Sequence, residues 1–177
     1  NATANATVAV EFTATSDTVN HANNAVSKAV LSTDSDGATI DMSAASGIFT
    51  LTGGAGVDKL TGGAGVDKID GSGGDDIITI AAAGKGDTDV MDGGANDDVL
   101  QLSTGAHTFA DNDKLKNIEE VKTNSSGSEV VLTAQTEALK ITGGAGVDKI
   151  TGGAGVDTID GSGGDDIITI AAAGKGD

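Results

Sequence analysis

The sequence predicts an all-β solenoid of short stacked strands, on three observations. Between Gly53 and Gln101 the chain divides into nine-residue units, residues 51–87 return almost unchanged as 141–177, and large side chains are scarce. Of 177 residues 28 are Gly, three are Phe and none is Trp or Tyr, so little is available to fill a wide globular interior. A narrow stack in which each coil packs only on its neighbours suits that inventory.

The units GGAGVDKLT (53–61), GGAGVDKID (62–70) and GSGGDDIIT (71–79) follow without a gap; after the insert Ile80–Ala83 the register resumes as GKGDTDVMD (84–92) and GGANDDVLQ (93–101). Each unit has Asp at the sixth place (Asp58, Asp67, Asp76, Asp89, Asp98) and an aliphatic residue at the eighth (Leu60, Ile69, Ile78, Met91, Leu100). The second block supplies Asp148, Asp157 and Asp166. Glycines permit the positive φ of tight turns, and the triplet that follows is long enough for one short strand. The middle residue of each triplet faces one side, so stacking draws the eighth-place residues into a thin apolar line. One unit buries almost nothing; several share a core. A flexible acidic linker would have no reason to keep that aliphatic position, and a dinucleotide-binding loop would occur once rather than repeat.

Stacking also crowds the sixth-place carboxylates, and a hard divalent cation relieves the repulsion. Calcium takes six to eight oxygen ligands in flexible geometry, which carboxylates and turn carbonyls can supply. The repeated pattern resembles the RTX family, with its G-G-x-G-x-D-x-U-x unit. That resemblance implies a right-handed parallel β-roll with calcium in its glycine-rich turns. The ligands would be the eight sixth-place aspartates, with backbone carbonyls from Gly53, Gly62, Gly71, Gly73, Gly143, Gly152, Gly161 and Gly163. Alternate units would share an edge, placing calcium between Asp58 and Asp76, Asp67 and Asp89, and Asp76 and Asp98; the insert departs from the pattern inside the last two pairs.

The expected organisation is β-rich rungs over 1–50, a first repeat block over 51–101, connecting rungs over 102–142 and a truncated second block over 143–177. Val8, Val10 and Phe12 alternate with polar residues, as do Ile40 and Met42, and these read as strands. Asn20–Asn24 and Thr33–Gly37 read as turns; Asp34-Ser35-Asp36-Gly37 is a turn rather than an EF-hand start, since no ligand series follows. Over residues 51–87 and 141–177 an offset of ninety leaves three differences (Leu51/Ile141, Leu60/Ile150, Lys68/Thr158), and it also pairs Gly37 with Gly127, Ile40 with Val130, Met42 with Leu132 and Phe49 with Leu139. In the connector, Ile118, Val121, Val130–Leu132 and Leu139–Ile141 suggest short strands. A helix over Ala110–Val121 is the alternative, less easily laid across such a stack. The phrase Lys116–Val121 ahead of these turns resembles rungs of RTX-type surface-layer proteins.

A formal charge of −17 opposes binding to nucleic acid or anionic lipid and favours a cation partner. No apolar run is long enough to span a bilayer, and without cysteine the usual zinc sites cannot be built. His21 and His107 lie near no credible nucleophile and read as surface residues. Asp75, Asp97 and Asp165 beside sixth-place aspartates imitate a glycosidase carboxylate pair, but crowding at a cation turn explains them without an aromatic platform. The Asn-x-Ser/Thr triplets at Asn1, Asn5 and Asn124 read as strand or turn residues. The function expected is structural, not enzymatic: a calcium-binding segment of a secreted bacterial surface-layer protein at the cell surface, folding and self-associating into a lattice on calcium binding. Alternatives are an extender of a long RTX adhesin and the C-terminal roll of a secreted RTX protease or lipase. A cell-surface polysaccharide would be engaged only through regions outside this chain. The two copies are expected to present one surface twice along a rod.

Overall fold

The computed structural model describes residues 3–8, 11–13, 28–33, 37–81 and 88–170. Val10, Asn20–Asn24, His21, Asp34–Asp36, Ala82 and Ala83 lie outside them. Eighteen short strands, all paired in parallel, make three sheets among these residues, and no helix occurs. The eight-stranded sheet contains β2 (Glu11–Thr13), β4 (Thr39–Asp41), β6 (Lys59–Thr61), β8 (Ile77–Ile80), β10 (Val99–Leu102), β13 (Glu120–Lys122), β15 (Lys140–Thr142) and β17 (Thr158–Asp160). The six-stranded sheet contains β1 (Thr3–Val8), β3 (Lys28–Thr33), β5 (Ile48–Thr52), β7 (Lys68–Asp70), β9 (Val90–Asp92) and β12 (Leu115–Lys116). The four-stranded sheet contains β11 (Gly105–Thr108), β14 (Ser128–Val131), β16 (Lys149–Thr151) and β18 (Ile167–Thr169). The chain alternates between the eight-stranded sheet and one of the others at every half-coil, which makes a parallel β-roll. Between β10 and β13 one coil contains both β11 and β12, and there the six-stranded sheet ends and the four-stranded one begins.

The eighth-place residues form the predicted line. Leu60, Ile69, Ile78, Met91, Leu100 and Ile150 are buried and share one core with Phe49, Leu51, Leu115, Val121, Val130 and Ile141. Register brings them together: Leu60 stands beside Ile78 and Ile78 beside Leu100, while Ile69 lies between Leu51 and Met91. Full burial of one such side chain stabilises the fold by about 1.5–3 kcal/mol, so the core depends on many coils contributing together. Ile168 on β18, the last described strand of its sheet, is exposed.

The connector is strand and turn, with Leu115–Lys116 and Glu120–Lys122 where the helical alternative fell. Met42, Ile118, Leu132 and Leu139 are buried from positions just outside their strands, filling the core where the chain turns. His107 corrects the surface reading: it is fully buried on β11 opposite Val130. The middle place of that strand faces inward; Nε2 hydrogen-bonds to the Ser103 carbonyl at 2.9 Å, while Nδ1 is buried without a partner.

The ninety-residue copies are related by a half-turn. β4, β6 and β8 lie in the eight-stranded sheet, whereas their counterparts β14, β16 and β18 lie in the four-stranded one; β5 and β7 lie in the six-stranded sheet, whereas β15 and β17 lie in the eight-stranded one. Ile40, Leu60, Ile78, Leu100, Val121 and Ile141 mark successive passages through one sheet, and Val130, the counterpart of Ile40, falls midway between the last two. A copy therefore contains a half-integral number of coils. The expected repetition of one surface along the rod holds with a correction: its two occurrences face opposite sides.

Glycine is required where coils approach most closely. A Cβ on Gly93 would collide with the Asn117 carbonyl, whereas one on Gly73 meets nothing within 4 Å. Gly93→Ala should lower stability by about 1–3 kcal/mol, as other overpacked sites do, while Gly73→Ala should be close to neutral. Chemical denaturation of both variants checks this, and equal midpoints would contradict the stacking.

Candidate metal centre

The sixth-place aspartates stand at the turns, where each carboxylate caps a backbone amide of the neighbouring coil. On the first edge, formed by turns entering the eight-stranded sheet, Asp58 Oδ1 accepts from Ala38 N at 2.6 Å, Asp76 Oδ1 from Asp58 N at 2.7 Å, and Asp98 Oδ1 from Asp76 N at 2.8 Å. On the opposite edge Asp67 Oδ1 accepts from Phe49 N at 2.8 Å and Asp89 Oδ1 from Asp67 N at 3.0 Å. All three expected pairs are thus stacked. The insert lengthens the last two intervals from 18 to 22 residues without changing the partners.

In the second block Asp148 caps Ser128 N at 2.7 Å and Asp166 caps Asp148 N at 2.9 Å, on the edge opposite that of their counterparts Asp58 and Asp76. Asp157 caps Leu139 N at 3.1 Å on the first edge. This exchange of edges is the half-turn again. Asp58, Asp67, Asp76, Asp89, Asp98 and Asp148 are buried.

The second carboxylate oxygen divides the aspartates into two groups. Within GGAGVD turns it accepts from the second glycine: Gly54 N to Asp58, Gly63 N to Asp67, Gly144 N to Asp148 and Gly153 N to Asp157, at 2.8–2.9 Å. In the GSGGDD and GGANDD turns, Ser72, Gly74, Gly94 and Asn96 adopt positive φ, and in the first of them the second residue's amide is directed elsewhere: Ser72 N donates to Asp70 Oδ1 at 3.0 Å. Asp76 Oδ2 and Asp98 Oδ2 are left buried without a hydrogen-bond partner. A buried anionic oxygen without a donor is costly, and a bound cation would satisfy it.

The glycine faces bring further oxygens to these atoms. A Cβ on Gly71 would strike both Asp76 Oδ2 and the Gly93 carbonyl; on Gly53 it would strike the Gly71 carbonyl and Asp58 Oδ2; on Gly143, the Gly161 carbonyl and Asp148 Oδ2. Carboxylate and carbonyl oxygens thus converge beside Gly53, Gly71 and Gly143. Gly62 and Gly152 instead face their own Asp67 and Asp157 carboxylates and an isoleucine methyl. Gly73 bridges to Ala95, and Gly163 N donates to Gly144 O at 3.0 Å. Among the described residues no three or more His, Cys, Asp or Glu side chains form a metal-holding group, so a cation here would depend on carbonyls as well. Such a set of hard oxygens fits calcium. Asp75 and Asp97 lie exposed in these turns, with Asp97 N donating to Asp75 Oδ1 at 3.2 Å.

Sequence reasoning missed Glu119. Its Oε2 accepts from Asp98 N at 2.7 Å, continuing the first-edge ladder into a rung that lacks the nonapeptide pattern. The signal available was its place one residue ahead of the Glu120–Lys122 strand, as Asp98 precedes the Val99–Leu102 strand.

Burial pushes the Asp76 carboxyl up to about 7 and that of Asp98 up to about 6. The backbone hydrogen bond each accepts opposes the rise; Asp98, Asp58 and Asp75 add to it at Asp76, and Glu119, Asp75 and Asp97 add to it at Asp98.

These features define a parallel β-solenoid with oxygen-rich turns stacked along both edges. Residues 50–78, 83–106 and 140–169 match the RTX calcium-binding nonapeptide repeat (4 copies), so the chain carries calcium-binding repeats of that type. No curated protein and no solved structure matches the chain.

Two predictions follow from the ladder. A carboxyl raised on folding stabilises the fold fully below its unfolded value of about 4 and loses that contribution as pH rises through its folded value. In chelator, wild-type protein should therefore lose stability from about pH 6 to about pH 8.5, and Asp76→Asn should lose less. His107, lowered by burial, acts in the opposite direction but equally in both proteins. Thermal melts at the two pH values test this; an equal change in both proteins would contradict it. Asp76 also links two neighbours, whereas Asp70 accepts locally from Ser72. Calcium titration should show a larger loss of bound metal for Asp76→Ala than for Asp70→Ala.

Proposed function

We propose that this chain is a structural, non-catalytic segment of a secreted bacterial surface-layer protein, in which calcium at the stacked turns rigidifies the roll and the rigid roll then associates side to side. The observation that carries the calcium step is the pair of buried, partnerless carboxylate oxygens on Asp76 and Asp98, one coil apart on one edge. With a net charge of −17, the empty chain repels both itself and its neighbours. Cations in the turns reduce both effects. At free calcium ten to a hundred times Kd, each site contributes about 1.4–2.7 kcal/mol by mass action, so a few sites decide whether the roll is folded. RTX repeat proteins are typically secreted, and weak calcium modules of that kind fill outside the cell rather than in the cytosol.

The half-turn between copies supports lateral assembly. Val57 and Val66 are exposed at turns on opposite edges, and their counterparts Val147 and Val156 are exposed on the exchanged edges. A rod presenting one patch on opposite sides can engage a neighbour on each, and such contacts extend into an array; the same patch on one side would close into pairs. Weak contacts repeated along a stiff rod add by avidity.

Far-UV circular dichroism and light scattering across a calcium titration, with magnesium as control, test both steps. The expected course is gain of β structure followed by growth in scattering, with ordered sheets or filaments in electron micrographs. A native β spectrum that survives exhaustive chelation would sink the folding step. Folded, isolated rods at saturating calcium would replace the lattice with an adhesin extender.

A further inference from the structure

We propose that the first edge carries one cation site beyond the nonapeptide repeats, between Asp98 and the rung Asn117–Glu119, with Glu119 as its second carboxylate. The proposal rests on the calcium reading of the repeats and extends it to residues outside them, since Asn117 and Glu119 lie between the matched segments.

Four observations carry it. Asp98 is fully buried, and its Oδ2 has no hydrogen-bond partner. That oxygen and the Asn117 carbonyl both crowd the open face of Gly93, just as Asp76 Oδ2 and the Gly93 carbonyl crowd Gly71 one coil earlier. Asn117 takes a φ of 49°, so it adopts the left-handed conformation for which glycine is usually needed. It is held there by Asn117 N donating to Glu137 Oε1 at 3.1 Å and Nδ2 donating to Asp92 Oδ1 at 2.7 Å. Finally, Glu119 Oε2 caps Asp98 N at 2.7 Å, the role Asp98 Oδ1 performs for Asp76 at 2.8 Å.

The Asp98 step therefore reproduces the Asp76 step oxygen for oxygen, with Glu119 standing where the repeat would have aspartate. Glu119 is exposed, so an ion reaches the site from solvent. Hard oxygens of mixed carboxylate and carbonyl type select a divalent cation such as calcium. Position gives the site its purpose. It joins the last unit of the first block to the coil in which the six-stranded sheet ends at β12 and the four-stranded sheet begins at β11. Backbone pairing changes sheets there, and a cation between the coils would hold the edge continuous across the seam.

Isothermal titration of the full chain with calcium chloride tests this on wild type, Glu119→Gln, Glu119→Asp and Glu129→Gln. Glutamine keeps an oxygen for the Asp98 amide but loses the charge. Glu129 pairs with Lys149 at 2.6 Å, away from the turns, and controls for loss of one surface carboxylate. Glu119→Gln should bind one calcium fewer than wild type, or bind one at least tenfold more weakly. Glu119→Asp should recover part of that loss, and Glu129→Gln should match wild type. Unchanged stoichiometry and affinities in Glu119→Gln would overturn this site alone, leaving calcium in the repeats; a wild-type chain that binds no calcium would overturn the calcium reading as well. Circular dichroism at saturating calcium, equal for wild type and Glu119→Gln, separates loss of a ligand from loss of fold. If Glu119→Gln fails that comparison, full recovery of fold with no recovery of calcium in Glu119→Asp would overturn the site.

Discussion

Through the described repeats, successive coils are joined at their edges by a carboxylate that accepts a backbone amide from the neighbour, and that contact sets the terms for everything else. A charge-assisted hydrogen bond of this kind is stronger than a neutral one, and it fixes the height of successive turns. It also brings like charges close together: Asp58, Asp76 and Asp98 are buried in one stack. The bond that aligns the coils thus creates the repulsion that an ion must relieve. Calcium held in these turns would relieve that repulsion.

The edges are not uniform. In GGAGVD turns a glycine amide satisfies the second carboxylate oxygen internally, whereas at Asp76 and Asp98, in turns that carry positive-φ residues, that oxygen is left without a donor. Two turn sequences of equal length therefore make different demands on a ligand. The faces between the edges are conventional by comparison: Glu120 pairs with Lys140 at 2.8 Å and Lys122 at 2.9 Å, which holds its carboxyl down at about 2. Ion pairs whose lysines stand in solvent add little to stability, so the specificity of stacking resides in the turns.

Much was legible in the sequence because solenoid physics is local. A nine-residue period, an aliphatic residue at the eighth place and glycine in the turns specify strand, turn and inward face without knowledge of distant contacts. Leu60, Ile69, Ile78, Met91 and Leu100 lie in the core on that ground alone. His107 was misread as a surface residue because it follows no repeat; only pairing with Val130 turns it inward. Glu119 was missed because its role depends on which amide lies above it, a contact made 21 residues away.

The sequence by itself determined the repeating unit, the core line and the positions of the stacked carboxylates, because each is written within a single coil. Tertiary structure alone decided how the coils add up. The 22-residue intervals across the insert keep their partners because the carboxylate ladder holds register. The ninety-residue copies exchange sheets because their length holds a half-integral number of coils, and those coils are unequal: Leu60 to Ile78 is 18 residues, Ile78 to Leu100 is 22 and Leu100 to Val121 is 21. Periodicity within a unit fixes which residues face inward; only the summed winding of unequal coils fixes the side of the rod on which each surface emerges.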